Sequence, residues 1–302
     1  MDGPSTLPRM GKAPNPEGPA VRTFVSAIAT VLGILLAAVA VPAIWVDRNV
    51  VQEDGFVRLA APLGKDSEFQ RKLAAAAVGT IDTGSVPGFL SGLVQPMLEK
   101  AAESLTGLPG YPAAWEETLR KSHRLSFADP AGTQDGASAS SLTLDVAPLV
   151  ALGSEEISRT TRLPLDPPEQ TLINVGQPAQ KEWTERLATY APMGYILAIG
   201  SAVAFLLALV AARRRWTVLL AAGLGGLALA GLWGLGSQLG TSRAQATDTG
   251  NGVANMFRDE FLAAAGTDFQ TWITTAAVTG GVLVAAAVVT LFASRKRART
   301  SR

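Results

Sequence analysis

Hydrophobic positions in this chain fall into four uninterrupted runs and one long mixed stretch. Phe24–Val46 holds 23 residues without an ionisable side chain. At ~1.5 Å per residue, a helix of that length spans the ~30 Å hydrocarbon core of a bilayer. Pro192–Ala212, Trp216–Gly236 and Trp272–Ala293 are of similar length and equally free of charge. Trp45, Trp216 and Trp272 sit at span ends, where an amphipathic ring favours the interface.

Between the first and second runs lies 47–190, long enough to bury a core of its own. Its pattern is mostly helical. Phe56, Leu59, Ala60 and Leu63 follow the 3.6 period, and Asp66 is placed to cap a following helix with Phe69, Leu73 and Ala76 on one face. Pro87 suits a helix start. Leu90, Val94, Leu98 and Ala101 form another stripe, kinked or restarted at Pro96. Residues 115–125 read as helix again.

After a Gly/Ser/Ala-rich linker at 131–141, Leu142, Leu144 and Val146 alternate with polar residues as in a strand. A helix over 147–160 and a β-prone run over 171–175 complete a small β-α-β element. Trp183, Leu187 and Tyr190 make a helical face leading into the second span. In 237–271, Val253, Met256, Phe257 and Phe261 predict an amphipathic helix.

The fold class expected is therefore a mainly α membrane protein: four transmembrane helices and a mostly helical extracytoplasmic domain with a small β element. Its parts are a disordered tail (1–23), a first span (24–46), the outer domain (47–190), two spans (192–212 and 216–236), an outer loop (237–271), a last span (272–293) and a basic tail (294–302). The five prolines of residues 1–22 and the lack of an apolar run make the leading segment unable to pack. A cleaved signal peptide is the rival reading of the first run, with Ala38-Val39-Ala40 as the cleavage pattern. The run continues past that point to Val46, which favours a retained span.

Charge sets the expected orientation. Arg9, Lys12, Arg22, Arg213, Arg214, Arg215, Arg295, Lys296, Arg297, Arg299 and Arg302 fall on one side of the membrane. Loop 237–271 has only Arg243 and Arg258. The positive-inside rule then puts both termini in the cytoplasm of a multi-pass plasma-membrane protein. Arg48, Arg58 and Lys65 leave the first span ambiguous by itself. The outer domain, with 19 acidic and 13 basic residues, is net negative. Arg213, Arg214, Arg215, Arg295, Lys296 and Arg297 are read as membrane-anchoring. Near anionic lipid each would contribute ~1 kcal/mol.

Small residues recur every four positions in the spans: Ala29, Gly33, Ala37; Gly200, Ala204, Ala208; Ala222, Gly226, Ala230, Gly234; Ala277, Gly281, Ala285. They suit close helix packing, within one bundle or across a dimer. Spans without Asp, Glu, Lys, Arg or His lack the usual groups of proton relays and ion pathways.

Cysteine is absent, which excludes a disulfide framework, a thiolate nucleophile and a cysteine metal site. His123 is the single histidine. Trp115 lies eight positions before it, on the same helix face. A lone His is a poor metal site, so the choice lies between a ligand or pH-sensing group and a hydrogen-bonded tie between helices. Asp145, opposite Leu144, reads as a solvated or strand-end residue. Glu116-Glu117 and Glu155-Glu156 read as exposed helix faces. No phosphate-cradling glycine loop precedes a helix.

Ile44-Trp45 through Gln70, with Phe56-Val57, Ala61-Pro62-Leu63 and Asp66, resembles the start of a group of actinobacterial integral membrane proteins of uncharacterised function. Trp115-Glu116-Glu117-Thr118-Leu119-Arg120-Lys121-Ser122-His123 resembles their Trp…Arg…His helix. Leu142-Thr143-Leu144-Asp145 resembles their strand after the linker. The likeness extends over nearly the whole chain and implies one span, an outer domain and three further spans. It singles out Trp115, Arg120 and His123 as ligand-binding or structural positions. It implies no activity.

The expected role is an envelope scaffold, adaptor or sensor. A transporter or accessory transporter subunit comes second, and an outer-face enzyme or lipid-binding module third. The expected partners are the lipid bilayer and an envelope protein or a second copy. Nucleic acid, cofactors and metals are not expected.

Overall fold

The computed structural model describes residues 18–70, 104, 106–127, 143–162, 166, 169–174, 185–248 and 252–300. Residues 1–17 of the leading tail, Leu73 and Ala76, the stripe from Leu90 to Ala101 with Pro87 and Pro96, the 131–141 linker with Leu142, and Trp183 lie outside these. Among the described residues the chain is almost entirely helical, with four helices long and apolar enough to cross a membrane.

Helix α1 (Gly18–Val46) runs into a π-helical turn, Asp47–Val51. A short α2 (Glu53–Ala60) and a 3-10 turn (Ala61–Lys65) follow. The outer domain continues with α3 (Tyr111–Phe127), β1 (Thr143–Asp145), α4 (Ala147–Thr161) and β2 (Leu172–Asn174). Then come α5 (Met193–Ala211), α6 (Arg215–Gln245) and α7 (Gly252–Thr300). The β element is one antiparallel pair with Leu144 opposite Ile173. Arg162, at φ 60°, closes α4 in the left-handed conformation.

The membrane helices form two antiparallel hairpins, α1 with α5 and α6 with α7. The hairpins meet mainly through α1 against α6. The first is stitched by side-chain hydroxyls that donate to the facing backbone: Ser26 Oγ to Ala208 O at 2.9 Å and Ser201 Oγ to Gly33 O at 2.8 Å. In hydrocarbon such bonds face no competition from water. The second is drawn together at Gly223 and Gly280. A Cβ on Gly223 would stand 2.7 Å from the Gly280 carbonyl oxygen, and one on Gly280 would stand 2.8 Å from the Gly223 oxygen.

Small-residue spacing therefore marks the contact faces of α1 and α5. On α6 it holds at Gly226 and Ala230, but the close crossing is made by Gly223, and Gly234 meets open space. On α7 the stripe is displaced: Gly280 makes the crossing, while Gly281 meets open space. Between the hairpins, Pro42 leaves the Ala38 carbonyl without its helical donor, and Trp233 Nε1 donates to that oxygen at 3.1 Å.

Several boundaries differ from the sequence reading. Helix α1 begins at Gly18, inside the segment read as a disordered tail, and α7 runs to Thr300, through most of the segment read as a basic tail. Helix α6 continues nine residues past Gly236, to Gln245. The amphipathic segment with Met256, Phe257 and Phe261 is no separate loop helix but the start of the 49-residue α7. No helix breaker separates it from the last span, so the helix propagates. Consequently the outer core is not confined to 47–190. Val57, Ala60, Leu63, Phe69, Tyr111, Trp115, Leu119 and Leu149 are buried together, and Met256, Phe257 and Phe261 of α7 pack against them.

Candidate functional site

Helix α3 carries the three residues singled out in sequence, and the structure gives each a partner in the chain. Trp115 is fully buried. Its Nε1 donates to Ala60 O at 3.1 Å, and its ring meets Phe69 and Phe257 edge-on, at 5.8 and 6.3 Å between centroids. Gly64 lies against it: a Cβ there would fall on the indole, so only glycine fits. Gln70 Nε2 donates to the Gly64 carbonyl and holds that turn in place. Asp66 caps the helix that follows, accepting from Glu68 N at 2.8 Å and Phe69 N at 3.1 Å.

Two turns along the same face, His123 is 5% exposed. Its Nε2–H donates to Val50 O at 3.0 Å, tying α3 to the π turn at the top of α1. The ring stacks on Phe127 at 4.4 Å and tilts against Phe56 at 5.1 Å. Burial pushes its pKa below the ordinary value. The Val50 carbonyl and the charge of Glu53 oppose that shift. Tyr111, also buried, has its phenol pushed up to about 12 by desolvation.

Arg120 is half-exposed and pairs with Asp54 at 3.1 Å and Glu53 at 3.4 Å. The hydrogen bond that Arg120 donates to Asp54 leads in raising its pKa. Arg124 completes the cluster, 3.9 Å from Glu53 and 3.4 Å from Glu117. Exposed pairs of this kind contribute little stability, and here they align α3 over α2.

Among the described residues no Ser–His–Asp arrangement results. Ser122 Oγ donates to Thr118 O at 2.6 Å and accepts from Asp145 N at 2.9 Å. Asp145 is not a solvated strand-end residue, as the alternation suggested. It is 2% exposed, and its Oδ1 accepts from Ala147 N and Thr171 N, each at 3.0 Å. One carboxylate thus caps α4 and holds the strand pair. Strand β1 packs under α3, and its adjacent Leu144 and Asp145, which point to opposite faces, are both buried.

A second polar cluster, not singled out in sequence, lies where α1 leaves the membrane. Asp47 is 4% exposed, and its Oδ2 accepts from Gln52 Nε2 at 2.6 Å and from Tyr195 Oη on α5 at 3.2 Å. Asn49, buried, donates to Trp45 O and accepts from Arg58. Across the collar, Trp45 Nε1 donates to Asp268 Oδ1 on α7 at 2.7 Å. The sequence signal was the Asp-Arg-Asn run directly after an apolar span. What its side chains would meet depended on the distant Tyr195 and Asp268.

The anchoring arginines gather at the opposite end. Arg213, Arg214 and Arg215 are exposed at the α5–α6 turn, Arg22 Nη2 reaches Val210 O, and Arg295 is exposed near the end of α7. Lys296 and Arg297 lie on that last stretch of α7. Among the described residues no three His, Asp or Glu side chains gather as a metal site. No family model, curated protein or solved structure matches the chain. The class defined is a multi-pass helical membrane protein with a helical domain at one end of its bundle.

Proposed function

We propose that this protein is a plasma-membrane scaffold, adaptor or sensor that presents the α2–α4 domain outside the cytoplasm to an envelope partner. The observation that carries the reading is α7. This single helix packs Phe257 and Phe261 against the outer core, clasps Trp45 through Asp268 and then runs the length of the bundle. A partner that binds the domain therefore acts on a membrane helix without an intervening linker.

The basic end of the bundle supports the orientation, because arginine-rich flanks stay cytoplasmic. Spans without ionisable groups argue against the chain being a transporter by itself. At the His123 face the imidazole and Ser122 Oγ are bonded to the backbone carbonyls of Val50 and Thr118, while the buried Thr118 Oγ1 has no partner among the described residues. The engaged imidazole favours a structural role there over hydrolysis. The resemblance to actinobacterial four-span proteins agrees with this architecture.

The absence of cysteine makes a direct test available. Arg159→Cys, on the exposed face of α4, should react with a membrane-impermeant bifunctional maleimide in intact cells and capture a recurrent envelope protein or a second copy. Ser294→Cys, at the other end of α7, should react only after the cells are opened. The reverse labelling pattern contradicts the orientation, and no capture from several α4 positions contradicts the scaffold role.

A further inference from the structure

We propose that the outer half of the α6–α7 seam is a lipid site for one membrane amphiphile with an uncharged, hydroxyl-rich headgroup, of the chemistry of a hexosyl diacylglycerol. The inference does not depend on the scaffold reading.

Two cavities stack along this seam. One, of about 700 Å³, lies at membrane depth between the hairpins. Three of its eighteen lining residues are threonines and the rest are apolar or glycine, with Phe205, Leu219, Leu229, Trp233 and Leu283 among them. The other, of about 780 Å³, lies beyond it on the side of the outer domain. Ten of its thirteen lining side chains are hydroxyls or amides, including Ser237, Gln238, Thr241, Gln245 and Gln270. Thr271 and Thr275 line both, so the two spaces adjoin at the level of Trp272.

The cause is the glycine crossing. Helices α6 and α7 touch at Gly223 and Gly280, whereas farther out Gly234, Gly240 and Gly266 face open space. An apolar compartment beneath an open groove rimmed by hydroxyls and amides, at the membrane boundary, matches an acyl chain beneath its headgroup.

The headgroup chemistry follows from the lining. Neither cavity has an ionisable lining residue. Asp268, near in sequence, is spent on Trp45, and Arg243 is not part of the lining. A phosphate would find no cation in the lining and an ammonium no carboxylate, so neither charge gains an opposite partner there. The hydroxyl protons of Thr267, Thr274, Thr275 and Ser242 are given to their own helices, at 2.8–3.1 Å. Their oxygens remain as acceptors, and the glutamine amides supply donors. An array of neutral acceptors and amide donors is complementary to sugar hydroxyls.

The test is native mass spectrometry of the full-length protein. It is released from mixed micelles holding equal amounts of monoglucosyl diacylglycerol, phosphatidylglycerol and phosphatidylcholine with matched acyl chains. The glucosyl lipid should be retained at least tenfold over the other two. Gln238→Leu with Gln270→Leu should reduce it to the phosphatidylcholine level at unchanged melting temperature. Ala222→Phe, which fills the apolar cavity, should reduce retention of all three. Equal retention of the three lipids, or preference for phosphatidylglycerol, overturns the proposal. If the double variant is unstable, the near-isosteric Thr271→Val takes its place, and an unchanged preference in it overturns the proposal equally.

Discussion

Imidazole burial between Phe56 and Phe127 makes the stability of the α2–α4 domain sensitive to acidity at His123. Its pKa in the folded protein lies below the ordinary ~6.5, chiefly from desolvation. The unfolded chain therefore binds the proton at higher pH than the folded one. Stability is complete above the unfolded pKa and declines as pH falls through it toward the folded value. The full-length protein in detergent should melt at a lower temperature at pH 5.5 than at pH 7.5. His123→Gln, which keeps an N–H donor for Val50, should flatten that difference. A slope that survives the substitution would assign it to other groups. Trp115→Ala serves as the pH-independent comparison, at a cost of ~3–5 kcal/mol for an emptied aromatic site.

Between elements, the second hairpin rests on backbone proximity rather than side-chain interlock. Gly280→Val should push the Gly223 carbonyl and Leu227 away and cost ~1–3 kcal/mol by overpacking. Gly281→Val, one position on, projects into open space and should stay within ~0.5 kcal/mol of the parent. Melting temperatures of the two variants in the same detergent measure the contrast. Equal losses would mean that α6 and α7 do not cross at Gly280. The hydroxyl stitches of the first hairpin and the Trp233–Ala38 bond act alongside this crossing, since each satisfies a backbone group that lipid cannot.

Across the whole molecule, domain and bundle share one core. Phe257 and Phe261 stack on each other at 5.8 Å and lie against Trp115 and Phe56. A fragment of residues 47–190 would expose that side of Trp115. It should unfold with poor cooperativity, where the full chain protects the amides of α3 from hydrogen exchange. In the full chain, Phe257→Ala should speed exchange across residues 111–127 although it lies more than 130 positions away in sequence. Unchanged protection would show that the domain stands without α7.

Composition and period alone determined a good deal of this. Four charge-free runs of about twenty residues admit little besides membrane helices, because a bilayer leaves backbone groups no other partner. The 3.6-residue spacing placed Trp115 and His123 on one face of α3, and Asp66 was legible as a cap. Only tertiary structure decided what those faces meet. Asp145 turned inward because the backbone amides of Ala147 and Thr171 meet its carboxylate under α3. The segment at Phe257 joined the last span because nothing between them stops a helix. Asp47, Tyr195, Trp45 and Asp268 became a collar because the end of α1, the start of α5 and the interior of α7 meet there. The α6–α7 seam opened outward because two glycines set the point of contact. Each of these depends on residues far apart in the chain, and a local pattern of hydrophobicity carries no information about distant partners.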